Sequence, residues 1–113
     1  MARKKTPLLT APPYVVETAL RRLGSNLRQA RLARNFKLQD VAEKIGAGRR
    51  AVADAERGRP GTAAVVYLAL LWTYDLMGPV SQLANPATDA VGLASAERRE
   101  RARASVPTLD NDF

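Results

Sequence analysis

Apolar residues recur at steps of three and four positions in the N-terminal part of the chain, over residues 14–34. This spacing places them along one face of a helix, because an α-helix completes a turn every 3.6 residues. The arginines of the segment fall on other parts of the helix surface, and Asn35 is a plausible stop signal. The pattern therefore predicts an amphipathic first helix whose apolar face consists of Val16, Leu20, Leu23, Leu27 and Ala30.

Two shorter helices are predicted next, at Leu38–Ile45 and Arg49–Glu56, again from apolar positions at helical spacing. Gly46 directly follows the first of them and can adopt the left-handed conformation that closes a helix. Gly48 is an acceptable N-cap for the second. Glycine and proline then interrupt the pattern at residues 58–61. The sequence thus predicts two short helices separated by a tight connection.

The following segment, from Thr62 to about Asp75, is apolar on nearly all sides. Thr62 is a plausible cap for this fourth helix, and residues 79–83 predict a short fifth one. A domain of this size has little volume to bury every apolar side chain, so we expect one face to contact a second subunit. The alternative is that these residues only fill the protomer's core. The predicted dimer interface consists of Tyr67, Leu70, Leu71, Tyr74, Met77, Val80 and Leu83.

The two ends of the chain differ in composition from this helical domain, residues 14–84. Residues 1–13 contain three basic residues and three prolines, which predicts a flexible basic arm, either an ordinary terminus or one that follows DNA. Residues 85–113 contain few large apolar residues, although Ser95 can cap a charged helix as far as Arg103. We predict that this tail, which ends in Asp-Asn-Asp-Phe113, binds a partner; a solvated, disordered tail is the alternative.

Composition narrows the chemistry that is possible. The 113 residues include no Cys and no His, which excludes disulfides, thiolate or imidazole metal sites, and catalysis by a nucleophile–His pair. The other polar residues form no spaced catalytic set, so we expect no enzyme, no metal and no cofactor. The only long apolar run, residues 63–72, is about half a membrane span, and no signal peptide follows the basic start. We therefore expect a cytoplasmic protein without a membrane partner.

The net charge of +7 is unevenly distributed along the chain. Residues 1–61 carry an excess of nine positive charges. Residues 62–94 contain only two charged residues, Asp75 and Asp89, and in residues 95–113 the positive and negative charges are equal in number. A basic segment beside an apolar one indicates a polyanion-binding face coupled to a core or an association segment. Together with two short helices joined by a tight turn, this predicts a helix-turn-helix whose second helix enters the major groove of DNA.

Three fragments of the helical domain occur in a recognisable order. They are residues 23–31 (Leu-Gly-Ser-Asn-Leu-Arg-Gln-Ala-Arg), 36–46 (Phe-Lys-Leu-Gln-Asp-Val-Ala-Glu-Lys-Ile-Gly) and 55–58 (Ala-Glu-Arg-Gly). In sequence and spacing they resemble the lambda-repressor-like family, often called the XRE family, over roughly residues 20–76. The resemblance implies an all-α, five-helix domain with a flexible N-terminal arm and a C-terminal tail, and double-stranded operator DNA as the ligand.

The resemblance also implies roles for individual residues. Arg49 and Arg50 are expected to contact base edges, since a guanidinium can pair with O6 and N7 of guanine; the alternative is a solvated pair that touches phosphate. Asp54 is expected to accept from a cytosine amino group or to orient Arg50. The expected base-reading residues are Arg49, Arg50, Ala53 and Asp54, and the expected phosphate-binding residues are Lys37, Gln39, Arg57 and Arg59.

Arg31 and Glu56 occupy positions that form an internal ion pair in this family, so the resemblance implies a structural role for both. The pair is expected to connect the first helix to the end of the third. Two residues depart from the family pattern: Lys37 replaces the usual Ser or Thr cap of the second helix, and Leu38 replaces the usual Gln. Loss of a cap costs about 1 kcal/mol, and Gln39 becomes the nearest substitute for one phosphate contact.

Four segments in the second half of the chain make the resemblance more specific. Residues 61–67 (Gly-Thr-Ala-Ala-Val-Val-Tyr), 70–72 (Leu-Leu-Trp), 83–86 (Leu-Ala-Asn-Pro) and 89–94 (Asp-Ala-Val-Gly-Leu-Ala) resemble HipB antitoxins, which are encoded beside HipA-like kinase toxins. The resemblance implies a nucleoid-associated homodimer that binds palindromic operator DNA and a HipA-like kinase. A free-standing phage-type or metabolic repressor is the alternative, and a kinase gene beside this one would favour the antitoxin.

Overall fold

The computed structural model describes residues 7–105, and over these residues the chain is all-helical, without a strand. The predicted all-α class is therefore confirmed. The α-helices are α1 (Tyr14–Ala33), α2 (Leu38–Ile45), α3 (Arg49–Glu56), α4 (Ala64–Thr73) and α5 (Ala90–Ser105). The 3-10 helices are Pro7–Leu9, Gly78–Gln82 and Pro86–Thr88. None of the helices described here has the length and apolar character needed to cross a bilayer.

The chain divides into two compact units, the first ending at Met77 and the second beginning at Gly78. The first unit contains α1–α4, and the second contains α5, which packs against the 3-10 helix Pro86–Thr88. The sequence placed this boundary after residue 84. The basic residues 3–5 of the predicted arm and the terminal Asp-Asn-Asp-Phe113 lie outside the described residues.

The core of the first unit forms where α1, α2, α3 and α4 meet. Because α3 packs against each of the other three helices, its position is determined by the whole unit. Val52 and Ala55 of α3 are completely buried, which leaves the opposite side of this helix at the surface. The buried apolar residues are Leu27, Val41, Ala42, Val52, Ala55, Tyr67, Leu70 and Tyr74.

Two glycines set the arrangement of α1, α2 and α3. A Cβ atom at Gly24 would lie 2.5 Å from the carbonyl oxygen of Ala55, so only glycine allows α1 to approach the end of α3 this closely. Gly46 ends α2 with a φ of 71°, in the left-handed region that glycine adopts without a steric penalty. The connection between α2 and α3 is consequently short, and the two helices pack against each other.

Three helices differ from the sequence prediction at their boundaries. The helix α4 begins at Ala64 with Ala63 as N-cap; Thr62 instead closes the preceding turn by donating its N–H to the Arg59 carbonyl at 3.0 Å. The segment predicted as a fifth helix at residues 79–83 is the 3-10 helix Gly78–Gln82. The charged helix predicted from Ser95 begins at Ala90, because the side chain of Asp89 accepts from the Gly92 N–H at 3.0 Å.

Candidate nucleic-acid interface

The N-terminal ends of α2 and α3 lie side by side at the surface. A depression of about 500 Å³ is lined by Lys37 and Gln39 from the start of α2 and by Arg49 from the start of α3, together with Arg31, Leu32, Phe36 and Leu38. The structure thus brings two residues predicted for phosphate binding next to one predicted for base reading. The first turns of α2 and α3, which are separate in sequence, thus contribute to one basic surface.

Arg49 and Arg50 project from the first turn of α3 and are both exposed. Within residues 7–105 neither guanidinium makes a hydrogen bond or an ion pair. No side chain caps this end of α3, so its first backbone N–H groups add a partial positive charge to that of the two arginines. This end of the helix therefore attracts anionic ligands, and its arginines are free to form new hydrogen bonds.

The C-terminal end of α3 has the opposite character, because its arginines are already paired. Oδ1 of Asp54 lies 3.5 Å from Nε of Arg59 and 3.9 Å from Nη1 of Arg57, and the Arg59 N–H donates to the Asp54 carbonyl at 3.1 Å. The sequence predicted that Asp54 faces a base or orients Arg50. Instead, the buried Oδ1 atom of Asp54 faces the two loop arginines. Asp54 therefore pairs with Arg57 and Arg59, and not with Arg50, among the described residues; that it reads a base stays a prediction.

At the start of α2, which lacks a Ser or Thr cap, an acidic side chain makes the capping hydrogen bond. Lys37 occupies the N-cap position and its side chain makes no capping hydrogen bond. Asp40, three residues later, accepts the Lys37 N–H on Oδ2 at 2.9 Å, which supplies one half of a capping box. Gln39 donates to Oε2 of Glu43 at 3.1 Å, so its amide has a partner on its own helix. Asp40 was missed from the sequence, although an acid at this position was a signal for its role.

Arg31 and Glu56 lie in direct contact between α1 and the last residue of α3. Nε of Arg31 donates to Oε2 of Glu56 at 2.7 Å, and Nη2 donates to Oε1 at 3.1 Å. Nη1 donates to the Phe36 carbonyl at 2.9 Å, so all three nitrogens have a partner. The hydrogen bond with Glu56 raises the pKa of the Arg31 guanidinium above its ordinary value. This two-pronged pair holds the end of α3 against α1.

A second arginine of α1, Arg34, connects this helix to the end of α4. Its Nη2 donates to the Tyr74 carbonyl at 2.8 Å, and its guanidinium lies 5.3 Å from the centroid of the Tyr74 ring. Its Nη1 donates to the Ala30 carbonyl at 2.9 Å. The sequence indicated only that Arg34 lies on the surface of α1. Its position after the last turn of α1, where cations bind free carbonyls, was the signal.

The residues predicted for a dimer interface separate into two groups in the structure. Tyr67, Leu70 and Tyr74 belong to the protomer's own core, with 6%, 0% and 1% of their surfaces exposed, and Leu71 packs against that core. A side chain without exposed surface offers nothing to a second copy, so we reassign Tyr67, Leu70 and Tyr74 to the core. Of the remaining residues, Met77 and Val80 are half-buried and Leu83 is exposed.

Comparison of the chain with models of protein families, with curated proteins and with solved structures finds no match. The interface described above consequently rests on this chain's own geometry and charge.

Proposed function

We propose that this protein is a sequence-specific DNA-binding repressor with a lambda-repressor-like helix-turn-helix, in which α2 and α3 form the motif and two copies bind palindromic operator DNA. The observation that carries the proposal is the pair of exposed arginines at the start of α3, which have no partner within residues 7–105 and lie beside Lys37 and Gln39. An α-helix fits the major groove of B-DNA, and arginine is the side chain that most often recognises guanine there.

The arginines at the two ends of α3 differ in whether they are paired with an acid, and this supports different roles for them in DNA binding. Arg49 and Arg50 give up no partner among the described residues when they hydrogen-bond to a base. Each good contact therefore retains its full discrimination between bases, about 1–3 kcal/mol. Arg57 and Arg59 share the carboxylate of Asp54 at 3.9 and 3.5 Å, which partly neutralises them. Phosphate contacts of this kind set register and affinity without reading sequence.

The resemblance to HipB antitoxins extends the proposal to a HipA-like kinase toxin as a second protein partner. The element we assign to that contact is α5, because the helix contributes no buried residue and exposes apolar side chains such as Val91 and Leu93. A helix of this length is only marginally stable without packing, so a partner that covers one face of it would also stabilise it.

The experiment compares two variants that each lose an adjacent pair of arginines. The test variant carries Arg49→Ala and Arg50→Ala; the matched control carries Arg98→Ala and Arg99→Ala on α5, where both side chains are also exposed. The wild-type protein first selects its preferred duplex from a random pool. Fluorescence anisotropy then gives the affinity of each protein for this duplex and for a scrambled one.

We expect the Arg49→Ala/Arg50→Ala variant to fold normally and to lose most of its preference for the selected duplex, by about one to two orders of magnitude for each arginine. The Arg98→Ala/Arg99→Ala control should keep the preference, even if its overall affinity falls with the lost charge. A test variant that retains the full preference would show that α3 does not read the bases.

A further inference from the structure

Four large apolar side chains form an exposed stripe on the surface of the first unit. Val65, Leu68 and Trp72 recur at steps of three and four along α4, and Leu76 is exposed in the turn that follows the helix. Trp72 is the most exposed of them, with 72% of its surface accessible. We call these four residues the Trp72 stripe. Its three residues on α4 are neighbours on one helix face and form an apolar surface of the kind that often marks an interaction site.

The Trp72 stripe lies on the side of α4 that faces away from the core. Tyr67 and Leu70 are buried, and in a helix of 3.6 residues per turn they point roughly opposite to Val65 and Leu68. None of the four stripe residues belongs to the set that packs against the core. Burial of the stripe therefore requires a second surface, and a change in it does not empty the core.

The distribution of charge favours a second copy of this chain as that surface. Residues 60–74 contain no Lys, Arg, Asp or Glu, whereas residues 1–61 carry an excess of nine positive charges. Most of the first unit would repel another copy, but across α4 itself, which ends before Asp75, two copies meet without like charges facing each other. Residues 64–73 offer no cation to a nucleic acid and no charge to a charged protein partner; Arg34 and Asp75 lie at the end of the helix.

The area of the stripe matches what a dimer of ordinary size needs. Since a buried Trp contributes up to about 250 Å², the exposed part of Trp72 and the three aliphatic side chains together offer on the order of 400 Å² of apolar surface. One side of a standard interface buries about 800 Å², of which a little over half is apolar. The stripe is thus sufficient for the apolar centre of a two-fold interface.

We propose that the Trp72 stripe is the surface through which two copies of this chain associate, face to face across α4. This inference rests on the proposed function in one respect, because a palindromic operator requires two reading helices on one particle. It replaces Tyr67, Leu70 and Tyr74 as predicted interface residues with residues on the opposite side of the same helix.

The chain contains its own probe, because Trp72 is its only tryptophan. The full-length protein is examined without DNA, over a wide range of concentration, by sedimentation for mass and by tryptophan fluorescence for burial of the stripe. Leu68→Glu introduces a charge into the stripe. Val16→Glu on α1 is the matched control, since Leu68 and Val16 are similarly exposed, at 39% and 45%. Far-UV circular dichroism checks that both variants remain helical.

We expect the wild type to double in mass as concentration rises, with a blue shift of Trp72 emission over the same range. Leu68→Glu should weaken dimerisation at least about tenfold, because the symmetry of the interface brings two new charges together. Val16→Glu should dimerise like the wild type. A wild type that stays monomeric overturns the proposal, as does a Leu68→Glu variant that dimerises normally.

One other result would also overturn the proposal. If Trp72 emission is blue-shifted at every concentration and shifts to the red in a third variant, Leu93→Glu, the stripe is covered by the chain's own α5. None of these measurements involves DNA, so their failure is distinguishable from failure of the proposed function. A monomer that still discriminates between duplexes would refute the dimer surface and leave the reading helix intact.

Discussion

The ion pair between Arg31 and Glu56 allows a sharp test of what holds α3 in place. Substitution of Glu56 by Ala removes two of the three hydrogen bonds that the Arg31 guanidinium donates and leaves only its bond to the Phe36 carbonyl. Both side chains are more than nine-tenths buried, at 9% and 7% exposed. The remaining guanidinium would therefore carry its charge in the interior without a counterion.

The expected cost is large because the surviving arginine cannot lose its charge. Breaking a buried ion pair from one side typically costs about 3–5 kcal/mol, whereas a domain of this size has a total stability of about 5–15 kcal/mol. Glu56→Ala should consequently unfold at a much lower urea concentration. The double variant Arg31→Met/Glu56→Leu should be less destabilised than Glu56→Ala alone. Its main cost is the Phe36 carbonyl that loses its hydrogen bond, which destabilises the fold by about 1–3 kcal/mol.

Urea titrations followed by circular dichroism give the free energy of unfolding of each variant. Glu17→Ala is the matched control, because Glu17 forms an exposed ion pair with Arg21 at 3.8 Å and should cost less than about 1 kcal/mol. Under conditions in which it is folded, the Glu56→Ala variant should retain its preference between duplexes. A cost of less than 1 kcal/mol, or a loss of DNA discrimination at unchanged stability, would refute a structural role for Glu56.

Two further predictions follow from the same unit. Asp54→Asn should release Arg57 and Arg59, so that all duplexes bind more tightly and the logarithmic salt dependence steepens by up to about one unit per phosphate gained; loss of preference at a single base position would instead show that Asp54 reads a base. Burial raises the pKa of Tyr74 to about 12 from an ordinary value of 10.0. The folded state thus holds the phenolic proton more tightly, and this contribution is complete below pH 10 and lost as the pH rises from 10 to 12. Over that window the wild type should lose about 2–3 kcal/mol relative to Tyr74→Phe, and parallel urea midpoints for the two proteins would contradict the reasoning.

The helices α2 and α3 were predicted to the residue, for a physical reason. Each has apolar residues at helical spacing on one side and polar residues on the other, and Gly46 marks the end of the first. The orientation of such a helix is determined by its own sequence, because only one face is suitable for burial. The positions of the candidate interface residues Arg49 and Arg50 followed from the same pattern.

The helix α4 was predicted to exist, but not which of its sides is buried. With no charged residue between positions 60 and 74, each face of the helix is equally suitable for the core as far as sequence periodicity is concerned. Its orientation is set by tertiary contacts, among them the packing of α4 against α2 and α3 and the hydrogen bond from Arg34 to the Tyr74 carbonyl. This is why the predicted dimer interface included residues of the core.

The arginines of the candidate interface differ in whether they form an ion pair. The sequence alone does not show this difference. Arg49, Arg50, Arg57 and Arg59 contribute equally to net charge, but only the last two share the carboxylate of Asp54. A free guanidinium can adapt its rotamer to a base edge at the cost of side-chain entropy alone, whereas a paired one must also give up part of an ion pair. If α3 meets DNA as proposed, sequence is therefore read at its N-terminal end. Its C-terminal end then acts as a partly neutralised anchor, which limits the affinity for non-specific DNA.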